Sequence, residues 1–122
     1  MVKRIVVAAN TGDHFLGASH WDNSVELSLR KDGSVSVFGF ALRADEHGEL
    51  HRTRVFSRTG LRRGSEVAVA IDEAVEEADC VDVWDAGSRA DALREVEAHC
   101  PQVAIGLREA WGDYLDDEAT SD

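Results

Sequence analysis

Four carboxylates stand where metal-assisted chemistry would need them. Asp32 lies in "RKDGSVSV" (30–37), directly after a strand-like run. Glu66 falls in the first turn of a helical stretch, just beside its apolar stripe, so it can face a sheet. Asp85 closes the short β-rich run "CVDVW" (80–84). In a parallel β-α unit the carboxyl end of a strand is where ligands bind. Asp113 sits on the last helical stretch, next to the apolar stripe from Trp111 to Leu115. Phosphodiester hydrolysis by two metal ions needs several carboxylates converging at one sheet edge, where the ions activate water and stabilise the leaving oxygen. Oxygen donors of this kind suit Mg2+ or Mn2+. Each carboxylate also has a plain reading as a solvated surface charge, and Asp32-Gly33 is equally the bend of a hairpin.

Other chemistry is less well supplied. There is no G-x-G-x-x-G and no G-x-x-x-x-G-K-[ST], hence no phosphate cradle. "GASHW" (17–21) departs from G-x-S-x-G because Trp21 replaces the closing glycine, which leaves Ser19 without a nucleophile elbow. His14 and His20 share a loop with Asp13 and Asp22, without a standard metal-ligand spacing. That loop reads equally as a polar lid with Phe15 and Trp21 tucked into the edge of the core. Phe38 and Phe40 share one face of a strand at i, i+2. A base-stacking platform uses that pattern, and a buried sheet face uses it more often.

The elements that must position these residues follow from periodicity. "KRIVVAA" (3–9) reads as a strand buried on both faces, and a long polar and aromatic loop (10–23) follows it. "VELSLR" (25–30), "VSVFGFALR" (35–43) and "ELHRTRVFSR" (49–58) read as an antiparallel meander joined by "KDGS" and "ADEHG". From Ser65 to Ala78 the apolar positions Val67, Ala70, Ile71, Ala74, Val75 and Ala78 give a helix with one buried stripe. "CVDVW" reads as a short buried strand. Ser88 and Asp91 resemble a capping box opening a helix that runs to about His99 and stops at Pro101. "QVAIGL" (102–107) is expected to form a last strand, followed by a helix carrying Leu107, Trp111, Tyr114 and Leu115. The fold expected is a single α/β domain over 1–115, with helices packed on a mixed sheet of antiparallel meander and parallel β-α units. Residues 116–122 form an acidic tail.

Bulk properties bound the rest. A chain of 122 residues with 43% hydrophobic content can bury one core. No apolar run approaches the roughly 20 residues of a membrane span, and no signal core follows Lys3 and Arg4, so a cytoplasmic location is expected. Cys80 and Cys100 form no C-x-x-C pair and are expected to be buried free thiols. The net charge is −11, and only two of the 13 basic residues are lysine, a bias that also suits high salt or a high-GC genome. Such a chain repels nucleic acid unless its cations are grouped. Arg52, Arg54, Arg58, Arg62 and Arg63 form such a group, although part of it also reads as the wet face of a strand.

Over residues 25–119 the chain resembles the ribonuclease H family. "DGS" (32–34) looks like that family's strand-ending Asp-Gly-Ser, and "GFALRADEHGEL" (39–50) is similar to its second and third strands with their turn. "SEVAVAI" (65–71) looks like its helix that opens with a catalytic Glu. "VDVWDAGS" (81–88) resembles the strand ending in Asp-Ser, and "REAWGDYLDDEA" (108–119) is similar to its final helix. The resemblance implies a ribonuclease-H-like topology, two Mg2+ or Mn2+ ions held by Asp32, Glu66, Asp85 and Asp113, and cleavage of an RNA·DNA hybrid. Arg62-Arg63 replaces the family's Asn-Asn pair, and Ala86 stands where a Ser follows the Asp. A rival resemblance is carried by "RIVVAANTGDHFLGASHW" (4–21), which is similar to the opening of the small iron–molybdenum cofactor carriers; it implies a binder with His14 as the cofactor contact. The third possibility is a non-enzymatic interaction or inhibitor protein whose acidic surface steers it to a basic protein partner.

Overall fold

The computed structural model describes residues 2–10 and 23–120. Four strands come first: β1 (Val2–Asn10), β2 (Asn23–Arg30), β3 (Val35–Ala44) and β4 (Leu50–Leu61). Three helices follow: α1 (Gly64–Glu77), α2 (Ala86–His99) and α3 (Pro101–Thr120), with a 3₁₀ turn at Val81–Val83 between the first two. The strands form one sheet in the order β1-β2-β3-β4, every neighbouring pair antiparallel. An α/β domain with helices on a sheet is therefore observed, and the expected parallel pairs are not present among the described residues. No described helix is long and apolar enough to cross a membrane.

Two segments account for that difference. "CVDVW" does not extend, because Asp79, at φ 57°, turns the chain back at the end of α1. The Cys80 N–H then donates to the Val75 carbonyl, closing the helix end and leaving too little chain for a strand. "QVAIGL" lies inside α3, where Val103, Leu107 and Trp111 recur at i, i+4, i+8 and are all buried. Pro101 was expected to stop a helix; it opens one, since its fixed φ and missing N–H suit the first helical position. α3 also carries the backbone to Thr120, past the expected start of the tail.

Alternation decides the core. β2 turns Val25, Leu27 and Leu29 to one face, and β3 turns Val35, Val37 and Ala41 to the same face. The stripe of α1, with Val67, Ala70, Ile71 and Ala74 buried, lies on it as expected. α3 closes the layer with Val103, Leu107 and Trp111, and the Trp111 ring meets Trp84 edge to face at 5.4 Å. Each such fully buried side chain contributes about 1.5–3 kcal/mol of apolar transfer. α1 and α3 touch backbone to backbone at Gly64 and Gly106. β1 is an edge strand rather than one buried on both faces: Lys3 and Arg4 are exposed, and Val6 is 40% exposed. Both cysteines are buried free thiols, as expected.

Candidate nucleic-acid interface

The expected carboxylate quartet is split between the two ends of the sheet. Asp32 makes the β2–β3 bend. One of its oxygens accepts from the Ser34 N–H at 2.9 Å and from Ser34 Oγ at 2.7 Å, while Gly33 takes φ 89°. Arg62 donates to the Asp32 carboxylate at 3.3 Å, which brings the start of α1, and Glu66 with it, to the same end. α1 then runs away from that end, and its Glu77 carbonyl meets Arg43 at the far end of β3. α2 returns, so that Cys100 Sγ sits 3.9 Å from the Arg30 carbonyl beside Asp32. Asp85, at the opposite end of α2, therefore lies about 20 Å from Asp32 at a helical rise of about 1.5 Å per residue. Asp113 lies on α3 about 18 Å beyond Pro101 by the same rise, also away from Asp32. Two metal ions about 4 Å apart need their ligands at one place. These four positions do not form that place, and the residues present do not fit a two-ion centre of Mg2+ or Mn2+.

Asp85 has a different, local task. It is the N-cap of α2, accepting from the Ser88 N–H at 2.8 Å and from Ser88 Oγ at 3.0 Å. The capping motif thus starts three residues before the expected Ser88. Hydrogen bonds from Ser88 hold the Asp85 carboxyl below the usual carboxylate range, and those from Ser34, helped by Arg62, do the same for Asp32. The β3–β4 turn holds a third such group. Asp45 accepts from the His47 and Glu49 N–H groups on one oxygen and lies 2.8 Å from His51 Nε2 on the other, which lowers its pKa as well. Asp45, Glu49 and His51 bring one potential ligand atom each within 4.8 Å of one another, the closest grouping of donors for a metal among the described residues. Its internal hydrogen bonds account for it as the clasp of a hairpin. Asp13, His14, Ser19, His20 and Asp22 lie outside the described residues.

The other face of the sheet carries a more specific arrangement. β2 directs Ser24, Glu26 and Ser28 away from the helices, and β3 directs Ser36, Phe38, Phe40 and Leu42 the same way, because Ser24 pairs with Phe40 and Glu26 with Phe38. Phe38 and Phe40 are thus half-buried on the face that carries no helix among the described residues, not on the core face. Both parities of "VSVFGFAL" are apolar, so the strand alone does not tell which turns inward. Gly39 on the core parity decides it. A methyl there would stand 3.3 Å from the Ala74 carbonyl, so α1 lies on that side.

An irregularity in β4 completes the face. Gly39 pairs with Phe56 and Phe40 with Arg54, which makes Val55 an extra residue. The bulge resets alternation, so Phe56 packs toward the core while Arg52 and Arg54 point outward. The Arg52 guanidinium lies 4.0 Å from the Phe40 ring centre and donates to Ser24 Oγ at 2.9 Å and Glu26 at 3.0 Å. Arg54 lies 5.5 Å from the Phe38 ring centre. Arg4 joins from β1, opposite Ser28. The rest of the expected arginine group is elsewhere: Arg58 pairs with Val37, Arg62 sits on the Asp32 turn, and Arg63 is the N-cap of α1.

Charge is segregated by layer. The four strands hold seven Lys and Arg and a single carboxylate, Glu26. α1 alone holds five carboxylates and no cation. No family model, curated protein or solved structure matches this chain. Function is read from the site itself. A guanidinium laid on a ring keeps its remaining in-plane N–H groups available for phosphate and offers its outer plane to a base.

Proposed function

We propose that this chain is a non-enzymatic binding module that takes single-stranded nucleic acid on the helix-free face of its sheet. The observation that carries this reading is the pair of arginine–phenylalanine stacks, Arg52 on Phe40 and Arg54 on Phe38, side by side on a cationic strand layer. Bases stack on the guanidinium planes that cover Phe38 and Phe40, for about 1–3 kcal/mol each, without sequence readout. Arg4, Arg52 and Arg54 meet phosphates. Arg52 is held in place by Ser24 and Glu26, so little of its freedom is lost on binding. The acidic helices face away and keep the net charge of −11 from opposing contact.

This reading replaces hydrolysis of an RNA·DNA hybrid by Asp32, Glu66, Asp85 and Asp113. The test is fluorescence anisotropy with a labelled oligouridylate, against a duplex of equal length, over a salt series. Binding is expected to favour the single strand, with log affinity falling against log salt at a slope of about −2 for three phosphate contacts. Phe40→Ala should weaken binding about tenfold. Arg54→Ala should flatten the slope by about 0.7, and Arg58→Ala should leave it unchanged. No binding at low salt, or full binding by Phe40→Ala, would sink the reading. Metal-dependent cutting of the hybrid that is lost in Asp85→Asn would restore the nuclease.

A further inference from the structure

β1 ends the strand order, so among the described residues one of its two backbone edges has no strand beside it. A cavity of about 500 Å³ opens along that strand. Five consecutive residues, Lys3 to Val7, form one wall. Consecutive residues alternate between the faces of a sheet, so a wall made of all five is the strand's own edge rather than either face. The opposite wall is one side of α2, with Ser88, Asp91, Ala92 and Glu95 at helical spacing.

A strand edge flanked by a helix is the geometry in which extended peptides add to a sheet, main chain to main chain. The edge is fit for it. From Val2 to Val6 the pairing with β2 is regular, and the bulge comes only after Val6. The other edge strand, β4, breaks register twice. The first residues of the β1 wall are the cations Lys3 and Arg4, and neither has an acidic partner within the groove. Across from them, Arg94 is paired with Asp91, which leaves Glu95 as the free acidic charge of that wall.

We propose that this groove binds an extended peptide segment that pairs with the free edge of β1 and turns acidic side chains toward Lys3 and Arg4. The site shares Arg4 with the outer sheet face and otherwise lies apart from it, and peptide binding is expected whether or not that face binds nucleic acid. Backbone pairing gives the affinity, and the two cations select acidic over basic sequences.

The probe is a fluorescein-labelled octapeptide of valine and threonine with two adjacent central glutamates, one for each face of the added strand, titrated with the whole chain. It is expected to bind, while the same peptide with two adjacent lysines is not. Two N-methylated versions separate strand addition from charge attraction. Methylating one alternate set of amides removes the donors that face β1 and abolishes binding; methylating the other set leaves it. Lys3→Glu with Arg4→Glu should weaken binding at least about tenfold, and Glu95→Arg should strengthen it several-fold. All three positions are exposed, so the fold is retained, which circular dichroism checks. Absence of binding at about 1 mM peptide overturns the proposal. So does equal binding of both N-methylated peptides. A dimer in sedimentation that the peptide fails to dissociate would assign the edge to a second copy of the chain and overturn it as well.

Discussion

Gly64→Ala should damage this protein more than its chemistry suggests. A methyl at Gly64 would stand 2.1 Å from Leu107 N, 2.3 Å from the Val103 carbonyl oxygen and 2.4 Å from Gly106 C. All three are backbone atoms of α3, which cannot rotate away. Restoring ordinary contact near 3.5 Å pushes α1 and α3 apart by about 1 Å, and a gap of that size forfeits up to about half of each dispersion contact across it. Val67, Val103 and Leu107, all fully buried, are the contacts concerned. Overpacking of this kind costs about 1–3 kcal/mol, and immobile neighbours put Gly64 at the upper end. The better helix propensity of alanine, about 1 kcal/mol in a helix interior, offsets little at the first helical residue. The expected loss is about 2–3 kcal/mol, or a fall in Tm of roughly 10 °C at this chain length. Gly112→Ala is the control. Nothing lies within 4 Å of a methyl there, so the same change should raise stability by about 0.5–1 kcal/mol. Thermal and urea unfolding of both variants read the difference. A Gly64→Ala protein melting within about 2 °C of the parent would refute the backbone contact between α1 and α3.

Two further outcomes follow from local chemistry. Asp85→Ala removes the cap of α2 and should cost about 1 kcal/mol at neutral pH, with Asp85→Asn costing much less. The folded pKa of Asp85 is depressed by its bonds from Ser88, so its contribution is complete above the usual carboxylate pKa of about 4 and is lost as pH falls through the lower folded value. Urea midpoints of parent and Asp85→Ala should therefore converge below about pH 3, and a constant gap down to pH 2 would exclude the charged cap. Burial, with Asp82 and Asp79 nearby, pushes the Cys80 thiol up to about 11, and burial pushes Cys100 up as well. A disulfide reagent at pH 7.5 should label neither thiol in the native chain and both in denaturant; fast native labelling would contradict the packing around them.

The meander and α1 were legible because their signals are local. Asp32-Gly33 between alternating runs fixes a hairpin, and the stripe from Val67 to Ala78 has a single period. The last two expected strands were illegible for a physical reason. "CVDVW" and "QVAIGL" are short apolar runs that suit either state, and what decides them is tertiary. Asp79 reverses the chain before the first, and the second needs helical phase to bring Val103 and Leu107 onto the core with Trp111. The same holds for the site. Arg52 and Arg54 were visible as a group, but their pairing with Phe40 and Phe38 depends on an extra residue at Val55, which no pattern in β4 announces. Arg4 is distant in sequence and arrives only through β1–β2 pairing.

The layering of charge has a consequence for how the molecule meets its surroundings. With cations on the strands and carboxylates on α1, the chain carries a permanent dipole across its thickness in addition to its net −11. Near a polyanion the two act differently: net charge slows the approach, while the dipole exerts a torque that turns the sheet outward before contact. Within about 10 Å, the screening length at 0.1 M salt, the nearer layer contributes the larger share of the field. On a positively charged surface the same torque seats the helices and leaves the sheet facing the solvent. On the binding reading proposed for the sheet, an acidic protein built this way would meet polyanions with its strands and polycations with α1.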